Sequence, residues 1–281
     1  MRAALANFHA SLVRVEDITL DIDANLSAAL AKRSVLGRHE TIQCACAAIL
    51  SGFFETFLRD IAEAFIAEVE KLRIPYTALP VQIQNTHYEK GGIVLTAKQK
   101  NKGKYAWVTA GPDDIARRLG SFTSVPYELV WEAFADTQAN PGVDVVRDML
   151  SSFGILRPFA KVAAQTTFSE ATLKLNLESF LAVRNECAHT GTATTIPTPG
   201  DLRDHCAFFK VFSQGIVEVL VKHLASPAFN RALAVPLPVP TAAPSLTAAR
   251  AVVVAGPVAA SRRLTAWLNR LFEALRRLFG G

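Results

Sequence analysis

Apolar residues recur at three- and four-residue intervals through most of the first two thirds of the chain, the period of helices that bury one face. The strongest stripe lies in residues 39–72, where Ile42, Ala45, Ile49, Phe53, Phe57, Ile61, Phe65 and Val69 share one side. Glu55, Arg59, Asp60, Glu63, Glu68 and Glu70 supply much of the other side, and Pro75 ends the helix. Residues 3–34 are less strongly amphipathic and read as helix interrupted by the extended-looking, β-branched segment 13–18. Helices are predicted again from Pro112, where Asp113 and Asp114 suit a first turn, and over 126–134. Asn140-Pro141-Gly142 is a turn, and the helix that follows it ends at Gly154. Ser169 is placed to cap a further helix, and Thr198-Pro199-Gly200-Asp201 opens a long one over about 202–224. The longest apolar stretch, 44–54, is well short of the roughly 20 residues that span a bilayer, so it predicts a buried core helix.

Two segments depart from this texture. Gly91-Gly92-Ile93-Val94-Leu95-Thr96 and Lys104-Tyr105-Ala106-Trp107-Val108-Thr109 are β-branched and aromatic, and they flank Asn101-Lys102-Gly103, which predicts a small β-hairpin inserted at about 91–110. Lys98, Lys100, Lys102 and Lys104 alternate along it and would share one face of a strand. Such a row either contacts RNA or keeps an exposed sheet edge soluble. Residues 229–260 are rich in Ala, Val and Pro with almost no charge, and read as a linker. The expected fold is therefore all-α: an antiparallel helical bundle over residues 1–228 with the hairpin insert, the linker, and an amphipathic helix at 261–281.

Composition narrows the class. Half of the 281 residues are hydrophobic and a fifth are charged, which suits a globular chain with a sizeable core. Four cysteines make no disulfide framework, and Cys44-x-Cys46 lacks the second pair that a zinc site needs. No metal or cofactor is expected. The N-terminal residues are too polar for a secretory segment, so the expected location is cytoplasmic. The net charge of +5 belongs to the tail, where Arg262, Arg263, Arg270, Arg276 and Arg277 against Glu273 give +4. Leu264, Trp267, Leu268, Leu271, Leu275 and Leu278 fall on one face there, with Phe272 and the arginines Arg276 and Arg277 beside them. That profile suits a helix on an anionic membrane surface, which would place the protein at the inner face of the membrane. It equally suits a helix in a partner's groove or one packed on its own body.

Chemistry concentrates in one segment, Leu177-Glu178-Ser179-Phe180-Leu181-Ala182-Val183-Arg184-Asn185-Glu186-Cys187-Ala188-His189-Thr190-Gly191. Leu173, Leu177, Phe180 and Leu181 define a buried stripe, and one more turn lands on Arg184, an arginine where a leucine is expected. A guanidinium cannot shed its charge, so burying it requires either an acid, with Glu55 and Asp60 as candidates, or a cleft that binds an anion. His189 lies five residues on, about 140° away on a regular helix, and an unwinding at Thr190-Gly191 would let the two converge. Arginine then holds a phosphate by its planar fork and histidine moves a proton. Cys187 reads as a small buried hydrophobe, and His87, His205 and His223 as surface or helix-face histidines.

This Arg-Asn-x-x-x-His element, at the end of one helix and followed by another amphipathic helix, resembles the HEPN family of helical RNA-cleaving domains. Two further stretches make the likeness specific to the RiboL-PSP-HEPN branch. Ala48-Ile49-Leu50-Ser51-Gly52-Phe53-Phe54-Glu55-Thr56-Phe57-Leu58-Arg59-Asp60 is similar to its aromatic-acidic helix. Asn140-Pro141-Gly142 and the helix ending in Phe153-Gly154 resemble its Asn-Pro turn and the element after it. The resemblance covers about residues 40–225. It implies a metal-independent endoribonuclease acting as a homodimer, with Arg184 on the scissile phosphate, His189 as general base or acid and Asn185 orienting the pair. It also implies a toxin–antitoxin or anti-phage setting with a nucleotidyltransferase-type antitoxin. The alternative is a non-catalytic HEPN-like interaction module recruited to a membrane or partner by the basic C-terminal helix.

Overall fold

The structure, a computed structural model, describes residues 1–230 apart from 101–102, 124–125, 138–139 and 191–195. Of residues 27–29, 33, 104, 123, 189, 190 and 230 it describes the backbone alone. In chain order the helices are α1 (Arg2–Ala24), α2 (Leu26–Ala31), α3 (Arg33–Lys71), α4 (Val81–Asn85), α5 (Gly91–Gln99), α6 (Pro112–Gly120), α7 (Val143–Ser152), α8 (Pro158–Ala163), α9 (Glu170–Thr190), α10 (Pro199–Leu224) and α11 (Pro227–Asn230). Among the described residues there is no strand, so the protein is all-α.

Four long helices, α1, α3, α9 and α10, make the body. α1 lies against α10 and α3, and α3 is also covered by α9. Each brings a phenylalanine to the centre: Phe8 stacks on Phe57 at 4.9 Å between ring centroids, Phe54 meets Phe209 at 4.7 Å, and Phe180 stands edge-on to Phe209 at 4.9 Å. Such offset and edge-to-face pairs add to what burial of the rings contributes. α3 is long and apolar enough to cross a bilayer, but over half of its apolar window is packed inside the bundle, as suits a core helix. The second half of its predicted stripe is buried, with Phe57, Ile61, Phe65 and Val69 at most 1% exposed, while Ile42, Ala45 and Ile49 in the first half are only partly buried.

Local signals placed several ends correctly. Thr198 and Asp201 form a reciprocal capping box at the start of α10. The Thr172 amide donates to Ser169 Oγ at 3.1 Å, capping α9. The Gly142 amide closes the Asn140-Pro141-Gly142 turn at 2.8 Å, and Gly154, at φ +89°, takes the left-handed conformation that stops the chain after α7.

Three expectations are corrected. Residues 13–18 do not break α1, because Leu12, Val15, Thr19 and Ile22 fill the interface with its neighbours at helical spacing, and that burial outweighs the weak helix propensity of β-branched residues. The β-hairpin at 91–110 is absent among the described residues: 91–99 is α5 and 103–105 a 3₁₀ turn. Gly91, Val94 and Ala97 are buried at three-residue steps, a helical face, and Thr96 Oγ1 donates back to the Gly92 carbonyl at 2.9 Å. Gly91 matters here, since a Cβ would come within 2.7 Å of Leu119 Cδ2 on α6. Residues 126–134 form only a short 3₁₀ turn at 131–133. Side chains elsewhere take the backbone donors: Leu129 N–H goes to Glu70 Oε1 at 2.6 Å and Val130 N–H to His87 Nδ1 at 3.0 Å. Residues 231–260 of the predicted linker and the whole predicted C-terminal helix, with Trp267, Leu268, Leu271, Phe272, Arg276 and Arg277, lie outside the described residues.

Candidate active site

α9 carries the motif. Leu173, Leu177 and Phe180 are fully buried and Leu181 nearly so, and the stripe then reaches Arg184, which is half-buried. Its Nη1 donates to Asn185 Oδ1 at 3.0 Å, while its Nε is buried with no hydrogen-bond partner. Among the described residues no carboxylate lies within ion-pair distance of it. Asn185 is a neutral acceptor, so it holds the guanidinium in place and leaves the positive charge unbalanced.

Neither acid that the sequence offered to Arg184 pairs with it. Glu55 pairs with Arg59 one turn along α3, and Thr137 Oγ1 donates to the same carboxylate at 2.7 Å. The Arg59 guanidinium also lies 4.6 Å from the centre of the Trp107 ring. Beside it, burial pushes the Asp60 carboxyl up to about 6, with Arg59 pulling the other way. The part that Trp107 and Thr137 play in this network was not legible in the sequence, because they lie 48 and 78 residues from Arg59.

The Asp60 shift predicts a stability change. A carboxyl that ionises near its ordinary value of 3.8 in the unfolded chain and near 6 in the fold is bound to a proton more often in the fold between those values. Stability contributed by this group therefore falls as pH rises from about 4 to 6 and stays lower above. Asp60→Asn is expected to stabilise the protein at pH 7.5 by about 1–2 kcal/mol, after allowance for solvent screening, and not at pH 4. Denaturant unfolding at the two pH values measures it, and equal gains at both would rule out the titration as the cause.

His189 closes the motif. α9 stays helical through Thr190, so the unwinding expected at 190–191 does not begin before Thr190, and Gly191 lies outside the described residues. On a regular helix the backbone then presents Arg184 and His189 about 140° apart and displaced by about 7.5 Å along the axis. Both stand at the C-terminal, negative end of the helix dipole, so an anion held here gains nothing from the helix and depends on the guanidinium. Cys187, between them, is buried close to Cys44 of α3, and burial pushes its thiol up to about 12. It is a packing residue and no nucleophile.

The remaining candidates separate. Lys98 donates to the Val108 carbonyl at 2.8 Å, pinning the end of α5 to the following turn. Lys98 and Lys100 fall about 200° apart on the helix rather than in a row, while Lys102 and the Lys104 side chain lie outside the described residues. His87 is a buried residue and not a surface one, with its Nδ1 accepting from Val130 and burial holding it at about 4, hence neutral. His205 stands edge-on to Phe180 at 5.1 Å, and His223 bonds the Phe153 carbonyl at 2.9 Å. Among the described residues no three His, Cys, Asp or Glu side chains gather as a metal-ligand set.

Comparison with known families bears on this geometry. The family model described as RiboL-PSP-HEPN matches residues 16–222, a span that runs from the second half of α1 to the end of α10 and contains the Arg184–His189 segment. No curated protein and no solved structure matches the chain. With well over half its length matched, the chain belongs to the RiboL-PSP-HEPN family, and its bundle is a HEPN-type domain.

Proposed function

We propose that the chain is a metal-independent endoribonuclease that cleaves RNA by internal attack of the 2′-hydroxyl at a site shared by two copies. The observation that carries this reading is Arg184: a half-buried guanidinium, oriented by Asn185, whose charge no described carboxylate balances. Such a cation is poised for a phosphate diester. In the proposed reaction Arg184 holds the scissile phosphate and stabilises the charge that grows on its oxygens. His189 takes the 2′-OH proton or delivers one to the leaving 5′-oxygen. The 2′-oxygen bonds to phosphorus, the P–O5′ bond breaks, and the products are a 2′,3′-cyclic phosphate and a 5′-hydroxyl. The divergence of Arg184 and His189 along one α9 favours the dimer, because a facing second copy supplies groups on the other side of the phosphate. A toxin or anti-phage effector in the cytoplasm, restrained by a nucleotidyltransferase-type antitoxin, is the setting that goes with this chemistry.

The test incubates purified protein with labelled total RNA and with tRNA in EDTA, beside the His189→Ala protein. Wild type is expected to cleave at least about 100-fold faster than the variant and to leave 2′,3′-cyclic phosphate ends. Cleavage by neither protein, or equally by both, would remove this site from the reaction and favour a binding module.

A further inference from the structure

A cavity of about 310 Å³ opens on the surface where α1 meets the N-terminal half of α3. Its walls are mainly apolar: Ile18 from α1, and Gly37, Thr41, Ile42, Ala45 and Ile49 from α3. Gly37 leaves it open, since nothing lies within 4 Å of where a Cβ would sit. Around the groove the surface carries both signs of charge, with Arg38 in its lining and Arg14 one turn before Ile18 on α1. Asp17 and Asp21 flank Ile18 along α1, both exposed, and Leu20 between them is 56% exposed.

We propose that this groove is the docking site of the chain's own C-terminal segment, residues 262–279, bound as an amphipathic helix. Three observations select this occupant. The apolar stripe of the segment, from Leu264 to Leu278, would measure about 21 Å as a helix, and the α3 residues lining the groove, 34–49, span about 22 Å. Asp17 and Asp21, beside Ile18 at the edge of the groove, offer partners to two of the segment's five arginines. Arg38, the one cation lining the groove among the described residues, faces a segment whose single acid is Glu273. Residues 231–261 are long enough to connect them: Phe229 packs against Phe65, about 24 Å along α3 from Ile49, and an unstructured chain of 31 residues would span about 30 Å on average. The groove lies on the same turns of α3 that carry Cys44 against Cys187, so an occupant sits close to the helix that bears Arg184. The inference does not depend on the nuclease reading.

The experiment uses the full chain with Leu268→p-benzoylphenylalanine as a photo-cross-linker, irradiated in dilute solution and mapped by mass spectrometry. The expected product is an adduct within one chain to residues 34–49. A second protein carries Gly37→Leu as well, a substitution that favours the helix while filling the groove, and its adduct is expected to fall at least about 10-fold. An adduct between two chains, an adduct elsewhere on the body, no adduct, or one undiminished by Gly37→Leu overturns the proposal. So does an adduct to lipid in phosphatidylserine vesicles with none to α3 in their absence, which would assign the segment to the membrane.

Discussion

Arg184→Leu is expected to stabilise the folded protein by about 1 kcal/mol and to slow RNA cleavage by at least about 100-fold. Position 184 continues the stripe of Leu177 and Leu181, and the space it occupies is already half out of water. The guanidinium there has lost part of its hydration, keeps an unpartnered Nε and gains only the neutral Asn185 in return. Apolar replacements of buried charged groups are often neutral or stabilising by about 1–4 kcal/mol, and a half-buried position belongs at the low end. Leucine also continues the helix without cost in propensity. The catalytic loss follows from removing a preorganised cation at the phosphate, for which single-group deletions cost about 10²–10³ in rate. Arg184→Lys keeps the charge without the planar fork and is expected to fall between the two. Guanidinium chloride unfolding with an unchanged m-value, run beside the cleavage assay, measures both halves. A destabilised Arg184→Leu protein would mean that the arginine holds the fold together, and unchanged cleavage would sink its catalytic role.

Glu132→Gln is expected to destabilise the protein by about 3 kcal/mol, the opposite result at a second buried arginine. Arg118 of α6 presents two nitrogens to Glu132, Nη1 to Oε2 and Nη2 to Oε1, both at 2.9 Å, with the side chains only 8% and 3% exposed. Asp114 approaches Arg118 Nε at 3.1 Å but is itself 44% exposed and leaves most of the charge to Glu132. Neutralising Glu132 strands a charge that cannot be shed. The same clamp ties α6 to the 131–133 turn and sits near His87, which the Arg118 charge helps to keep neutral. The double variant Arg118→Met, Glu132→Leu is expected to cost less than Glu132→Gln alone, since it removes the stranded charge with its partner. If Glu132→Gln unfolded at the wild-type denaturant concentration, the pair would contribute nothing and the contrast with Arg184 would fail.

The two arginines show how far the sequence reaches. Arg184 was conspicuous because it interrupts an apolar stripe that a single helix defines, a purely local signal. Arg118 carries no such signal: its acid lies 14 residues away, in a segment read as helix that is mostly irregular. Likewise Glu55 and Asp60 looked equally available to Arg184; Arg59 takes Glu55 as an i, i+4 pair within α3, and only the tertiary structure adds Trp107 and Thr137 to that pair. The segment 91–99 was misread for a related reason. Its β-branched and glycine content favours a strand in isolation, but Val94 and Ala97 are buried at helical spacing and Gly91 admits α6.

By itself the sequence determined that the chain is all-α, where α3, α7, α9 and α10 lie, how α9 and α10 are capped, and that Arg184 and His189 share the end of one helix. These follow from apolar periodicity, capping side chains and proline or glycine stops, all of which act within a few residues. The tertiary structure decided which acid meets which arginine, that 13–18 and 91–99 are helical, and that 126–134 is held open by Glu70 and His87. Those outcomes depend on groups far apart in the chain. Burial of a face, or a hydrogen bond offered by another helix, outweighs local preferences that differ by less than about 1 kcal/mol per residue.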